Sequence, residues 1–158
     1  MNRKSGRGLL NYTTQIKIEN TVSEIELILS RHGARKVLKE YDGAGGVSSI
    51  SFTLVIGDKE ILFKLPMNEK AISEILNNQA TERKIPRKFL HDIEQARRVG
   101  WRIIKSWVEA QMAIIETRMV KIEEVFLPYA WNPKTKQTYF QQFEKKQLTA
   151  GDYKIEEE

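Results

Sequence analysis

The chain has 158 residues, 41% hydrophobic and 30% charged, with no cysteine and a net charge of +5. These values are those of one soluble globular domain long enough to bury its own core, and they exclude a disordered chain. They also exclude disulfides, thiolate metal sites and cysteine nucleophiles, while the positive balance biases the chain toward anionic partners.

Residues 1–11 read as a flexible basic arm, with Arg3, Lys4 and Arg7 among Gly and Ser. No apolar stretch follows them, so no signal peptide is expected. "YTTQIKI" alternates, with Tyr12, Thr14, Ile16 and Ile18 on one face, and predicts a half-buried strand. "TVSEIELILSRHG" predicts a helix. Thr21 and Glu24 have capping-box spacing, Val22, Ile25, Ile28 and Leu29 form the apolar stripe, and Gly33 is the expected stop. Three strands follow: "RKVLKEY", "VSSISFTLVI" and "KEILFKL". The first two are joined by the loop "DGAGG" and the last two by the turn "GD", which makes an antiparallel meander. Pro66 ends it, and Asn68 caps the helix "EKAISEILNN". A polar connector around Pro86 leads to a long helix that starts near residues 86–89 and runs to about Leu127, with Pro128 as its stop.

The expected architecture is therefore α+β: a four-stranded, mostly antiparallel sheet in chain order β-α-β-β-β-α, packed with a long C-terminal helix. Residues 12–128 form this single domain, 129–148 an aromatic and basic C-terminal cap, and 149–158 an acidic tail. No apolar run reaches the ~18 residues of a membrane span, so no membrane partner is expected.

The long helix carries the main functional signal. Residues 83–105 hold eight Lys or Arg against two Asp or Glu, a net of +6 that exceeds the charge of the whole chain. A concentrated basic patch is the footprint of an anion site. Arg87, Lys88, Arg97, Arg98, Arg102 and Lys105 are its candidate residues, with Trp101 for stacking. Arg98 and Arg102 lie on the polar stripe, where a solvated face is the plainer reading. Arg97 falls inside the apolar arc, where it needs an internal carboxylate partner, a route to solvent, or a phosphate ligand. The apolar arc itself spans roughly 200°, wider than the ~100° that covers one core. One side suits the sheet; the other needs the C-terminal segment or a second copy of the chain. A homo-oligomer, a dimer or higher, is the expectation.

"PYAWNPKTKQTYFQQFEKK" interleaves Tyr129, Trp131, Tyr139, Phe140 and Phe143 with Lys134, Lys136, Lys145 and Lys146. Aromatic faces can stack bases while lysines meet phosphates; aromatics that merely close a small subdomain have the same pattern. Signals for catalysis are poor. His32 and His91 lack metal-ligand spacing, and "GAGG" does not open a helix as a phosphate loop does. No catalytic residue, metal or cofactor is expected.

The stretches "YTTQIKIENTVSEIELILSRHGARKVLKEYDG", "WRIIKSWVEAQMAIIETRMV" and "EEVFLPY" resemble a family of small phage- and prophage-encoded proteins of no assigned activity. The resemblance implies a phage setting and a bacterial host cytoplasm, and it carries over no catalytic residue. Three functions suit that setting. The first is a non-enzymatic nucleic-acid-binding accessory protein that uses the 83–105 patch and the C-terminal aromatics, Trp131, Lys134 and Lys136 among them. The second is an anti-defence protein that sequesters a small cyclic nucleotide through Arg97, Arg98, Arg102 and Trp101. The third is a protein-binding inhibitor of a host defence enzyme.

Overall fold

The computed structural model describes residues 7–44 and 46–146. The acidic tail and residues 1–6 of the expected arm lie outside them. The chain is mixed α+β, but its main sheet has three strands, not four. β1 (Lys36–Tyr41), β2 (Val47–Ile56) and β3 (Lys59–Lys64) form an antiparallel meander in that spatial order. Phe52 stands opposite Phe63 and Leu54 opposite Ile61. Their face, with Ile50 and Leu65, is buried, as period-2 alternation requires.

The strand expected over residues 12–18 does not form. Tyr12 and Thr14 close turns on Leu9 and Asn11, and Ile16 is exposed. Two backbone carbonyls of this segment are instead taken by a side chain of the long helix, described below. Helix α1 (Ile18–Arg31) starts a turn earlier than the Thr21 signal suggested, with Lys17 at the N-cap position. Ile18 belongs to the same helical stripe as Val22, Ile25 and Leu29, and all four are buried. Burying Ile18 outweighs a cap at Thr21, whose side chain is itself buried. The end is as expected. Gly33 has φ +95°, and the Ala34 N–H returns to the Leu29 carbonyl, a left-handed stop that glycine makes at no steric cost.

Helix α2 (Glu69–Thr81) begins as predicted, with the Ala71 N–H donating to Asn68 Oδ1 at 3.0 Å. The long helix α3 (Ile93–Glu116) is shorter than expected at both ends. Asp92 Oδ1 caps its start by accepting from the Gln95 N–H, after a 3-10 turn at Arg87–Phe89. At the other end Thr117 Oγ1 donates to the Ile114 carbonyl, and Arg118 turns left-handed at φ +64°. A hydroxyl that competes for a helical carbonyl favours termination. The break lets α4 (Ile122–Phe126) fold back, and Phe126 reaches Phe52, Phe63 and Trp107 edge-on. Pro128 then sits in a following 3-10 turn, Leu127–Tyr129, and does not end α3.

Helix α3 separates two cores. On one side Trp101, Ile104, Val108 and Met112 meet α1, the sheet and Phe126. On the other, Ala96 and Val99 meet Leu76 and Ala80 of α2, Ile85, Phe89, Leu9 and Tyr12. The chain itself covers much of the broad apolar arc on both sides, while Ile93, Ala110 and Ile114 of that arc stay exposed. Leu9, expected within the flexible arm of residues 1–11, packs into the second core beside Tyr12, and its N–H donates to Gln79 Oε1 at 2.9 Å. The C-terminal cap is a small hairpin, β4 (Trp131–Asn132) with β5 (Gln137–Thr138), followed by α5 (Tyr139–Lys145). Among the described residues no helix is long and apolar enough to cross a membrane.

Candidate nucleic-acid interface

The basic patch of α3 is largely neutralised by carboxylates from elsewhere in the fold. Arg97 pairs with Asp42 in the β1–β2 loop, with Glu69 at the start of α2 (2.8 Å) and, more loosely, with Glu94 (3.8 Å). Its position inside the apolar arc is thus met by internal ion pairs. The loop is shaped for it. Asp42 Oδ1 accepts the Ala44 and Gly46 N–H groups, and a Cβ at Gly46 would stand 2.7 Å from the guanidinium. The Gly46 N–H leads the forces that hold the Asp42 carboxyl below its ordinary range, and Arg97 adds to them. Arg97 in turn holds its proton more tightly than usual, chiefly through its hydrogen bond to Glu69.

Arg102 reaches across to α1, pairing with Glu24 at 2.5 Å. Lys105 pairs with Glu109 one turn on at 2.6 Å and lowers that carboxyl's pKa. Trp101, expected to stack on a ligand, is fully buried, and its indole N–H donates to the Val47 carbonyl at 3.3 Å. It is a core residue. The sequence reading placed it in the apolar arc and on the binding face at once; packing uses only the first.

Arg98, Lys88 and Arg87 remain. Arg98 donates twice to Gln95 Oε1, at 3.0 and 2.8 Å, and meets no carboxylate among the described residues. Gln95 is buried, and its Nε2 donates to the Tyr12 and Thr14 carbonyls at 2.7 and 2.9 Å. Sequence reasoning missed this amide, which ties the N-terminal segment to α3. On the helical wheel Gln95 lies between Arg102 and Val99, at the border of the polar stripe, where a glutamine gives no signal of burial. Arg98 and Lys88 line a cleft of about 440 Å³ with Thr13, Gln15, Phe89 and the capping Asp92. Lys88 lies over the Phe89 ring, 5.1 Å from its centroid, and Arg87 is exposed.

The C-terminal cap provides a larger groove of about 780 Å³. Its turn is set by Asn132 Oδ1, which accepts from the Lys134 and Thr135 N–H groups. Thr138 and Gln141 cap α5 reciprocally. A backbone bridge between Phe63 and Ala130 docks the hairpin on β3. Between the cap and residues 64–68 lie Lys64, Met67, Tyr129, Trp131, Lys136 and Phe140. Lys64 Nζ stands 4.4 Å from the Trp131 ring centroid, a cation–π contact. Tyr129 packs on Trp107 at 5.3 Å and anchors the groove to the core. Phe140 is 54% exposed and Tyr139 47%. Lys134 and Lys136 are exposed and form no ion pair among the described residues; Glu144 is the one carboxylate of the lining.

The structure thus brings Trp131 and Lys136 together and adds Lys64 and Met67, which sequence reasoning missed because they come from the sheet side. It does not join them to the connector: no residue lines both clefts. Among the described residues no group of His, Asp and Glu could hold a metal ion. His32 is occupied by the Ile28 carbonyl and Glu116. Comparison with family models, curated proteins and solved structures finds no match for the chain.

Proposed function

We propose that the protein is a non-enzymatic nucleic-acid-binding protein that takes single-stranded segments in the groove of its C-terminal cap. One observation carries this reading: Trp131 and the exposed Phe140 share a groove with Lys64 and Lys136. Aromatic faces there accept unpaired bases of any sequence, and lysines at their margin meet the phosphates. A duplex keeps its bases stacked and offers only its backbone. Arg98, Lys88 and Arg87 provide a second, separate contact for phosphates. A phage setting in a bacterial cytoplasm, which the family resemblance implies, suits such an accessory protein.

The small-nucleotide reading loses support at its original site, because Arg97, Arg102 and Trp101 are spent within the fold. It survives only as a mononucleotide held in the same cap groove.

The test is fluorescence anisotropy of a labelled single strand and of the matching duplex between about 50 and 200 mM salt, where phosphate contacts lose affinity steeply. The single strand should bind more tightly, and Trp131→Ala should weaken it by roughly tenfold or more, the worth of one stacked base. Equal binding of strand and duplex, or an unchanged Trp131→Ala variant, defeats the proposal. Full competition by a mononucleotide would convert it to the small-ligand reading.

A further inference from the structure

The meander has an open edge. β3 is bordered by the cap hairpin through the Phe63–Ala130 bridge, whereas β1 pairs only with β2 among the described residues. Its side chains are exposed except for the half-buried Val37, and Leu38 is 50% exposed. An open strand presents unpaired N–H and C=O groups to any second strand. A break in register between Glu40 and Tyr41 ends the regular ladder. The regular stretch is therefore residues 36–40, five residues centred on Leu38.

We propose that β1 is a self-association edge, on which a second copy of this chain pairs antiparallel about a twofold axis at Leu38. The charges select that register. Directly opposite residues in an antiparallel pair share a face. With the axis at Leu38, Lys36 faces Glu40 of the second copy, the same pair recurs on the other side of the axis, and Leu38 faces Leu38. Glu40 forms no ion pair within the chain among the described residues, so it is available. Lys36 pairs with Glu60 at 3.3 Å at the sheet surface, and its ammonium can serve a second carboxylate. Moving the axis one residue in either direction brings like charges together. With the axis at Lys39, Lys39 faces itself; with the axis at Val37, Arg35 faces Lys39. Lys39 is meanwhile drawn to Glu26 of α1 at 2.6 Å. The lysines that guard a strand edge against indiscriminate pairing are, in this one register, complementary to a second copy. A five-residue ladder is small, so the dimer exchanges with monomer as concentration changes.

The absence of cysteine from the whole chain makes the test clean. Opposed Cα atoms in such a pair stand about 4.5–5.5 Å apart, within the range of about 4.4–6.8 Å that a disulfide spans. In the full-length protein, Leu38→Cys should give a disulfide-linked dimer under mild oxidation far faster than Lys39→Cys. Sedimentation velocity of the unaltered chain should show dimer increasing with concentration. Glu40→Lys, an exposed change, should weaken association on the order of tenfold by facing like charges on both sides of the axis. Lys36→Glu together with Glu40→Lys should restore it. The proposal is overturned by a monomer at every concentration, by Leu38→Cys linking no faster than Lys39→Cys, or by association that Glu40→Lys leaves unchanged.

Discussion

The first half of α3 and the C-terminal cap are both rich in Lys and Arg next to aromatic residues, and folding treats them in opposite ways. In α3, Arg97 meets Asp42, Glu69 and Glu94, Arg102 meets Glu24, Lys105 meets Glu109, and Trp101 enters the core. In the cap, Lys134 and Lys136 meet no carboxylate among the described residues, and Phe140 faces solvent. The difference lies in what each segment folds against. The first half of α3 is enclosed by α1, α2 and the β1–β2 loop, all of which supply acids. The cap lies at the margin of the fold, on β3. Charge density along a chain becomes a surface field only after tertiary structure has distributed the counter-charges.

The two tryptophans give the widest separation of these regions. Trp101→Ala should destabilise the fold by about 3–5 kcal/mol, the usual range for a large buried aromatic. For a chain of this size that lowers Tm by roughly 10 °C, readable by calorimetry. Trp131→Ala should leave Tm within a few degrees and instead weaken single-strand binding by roughly tenfold or more. If Trp131→Ala melts like Trp101→Ala, the cap aromatics are structural and the comparison collapses.

Arg97→Met comes next. It leaves Asp42, Glu69 and Glu94 close together without their cation. The site is partly solvated, so the expected loss is about 1–2 kcal/mol and not the full cost of a buried orphan charge, measured by urea denaturation at neutral pH. The acid limb adds a sign. The Asp42 carboxyl has a lowered folded pKa, so its contribution is present above the unfolded value of about 3.9 and is lost as pH falls through the folded value. The Gly46 and Ala44 N–H bonds survive in Arg97→Met, so that acid dependence should flatten only in part. An unchanged acid limb would mean that Arg97 contributes nothing to Asp42. In the cap, Lys134→Ala and Lys136→Ala should leave stability untouched, and each should reduce the salt slope of single-strand binding by about one unit. Slopes identical to the unaltered chain would remove these lysines from the interface.

The local signals were legible and the long-range ones were not. The meander, Asn68 at the start of α2 and Gly33 at the end of α1 follow from periodicity, cap chemistry and left-handed geometry, all written within a few residues. The strand expected at 12–18 gives way to turns, and Gln95, more than eighty residues away, takes the carbonyls of Tyr12 and Thr14. The extension of α3 to Leu127 failed because Thr117 and Arg118 end a helix without proline or glycine, and the return is rewarded by burial of Phe126. The candidate site divides in the same way. Trp131 and Lys136 are close in sequence and were visible as an interleaved pattern. The pairing of Arg97 with Asp42 and of Lys64 with Trp131 joins distant segments, and composition carries no trace of it.

The smallest expected effect separates the two ends of α3. At its start the ionic contacts hold at any neutral pH; at its end, His32 joins the last turn of α1 to Glu116. One imidazole nitrogen lies 2.7 Å from the Ile28 carbonyl and the other 2.7 Å from a Glu116 carboxylate oxygen. Both partners only accept, so a ring that satisfies both must carry two protons. The Ile28 carbonyl is the leading cause of a raised pKa, and Glu116 reinforces it. A raised folded pKa gives stability that is fully present below the unfolded value near 6.5 and is lost as pH rises through the folded value. Stability should therefore decline slightly from about pH 6.5 upward, and His32→Gln, which can donate only through its amide nitrogen, should remove that slope while Arg97→Met preserves it. Urea melts of the three proteins across this range decide the matter. A slope that survives in His32→Gln would place the titrating group elsewhere and leave the two ends of α3 alike in their response to pH.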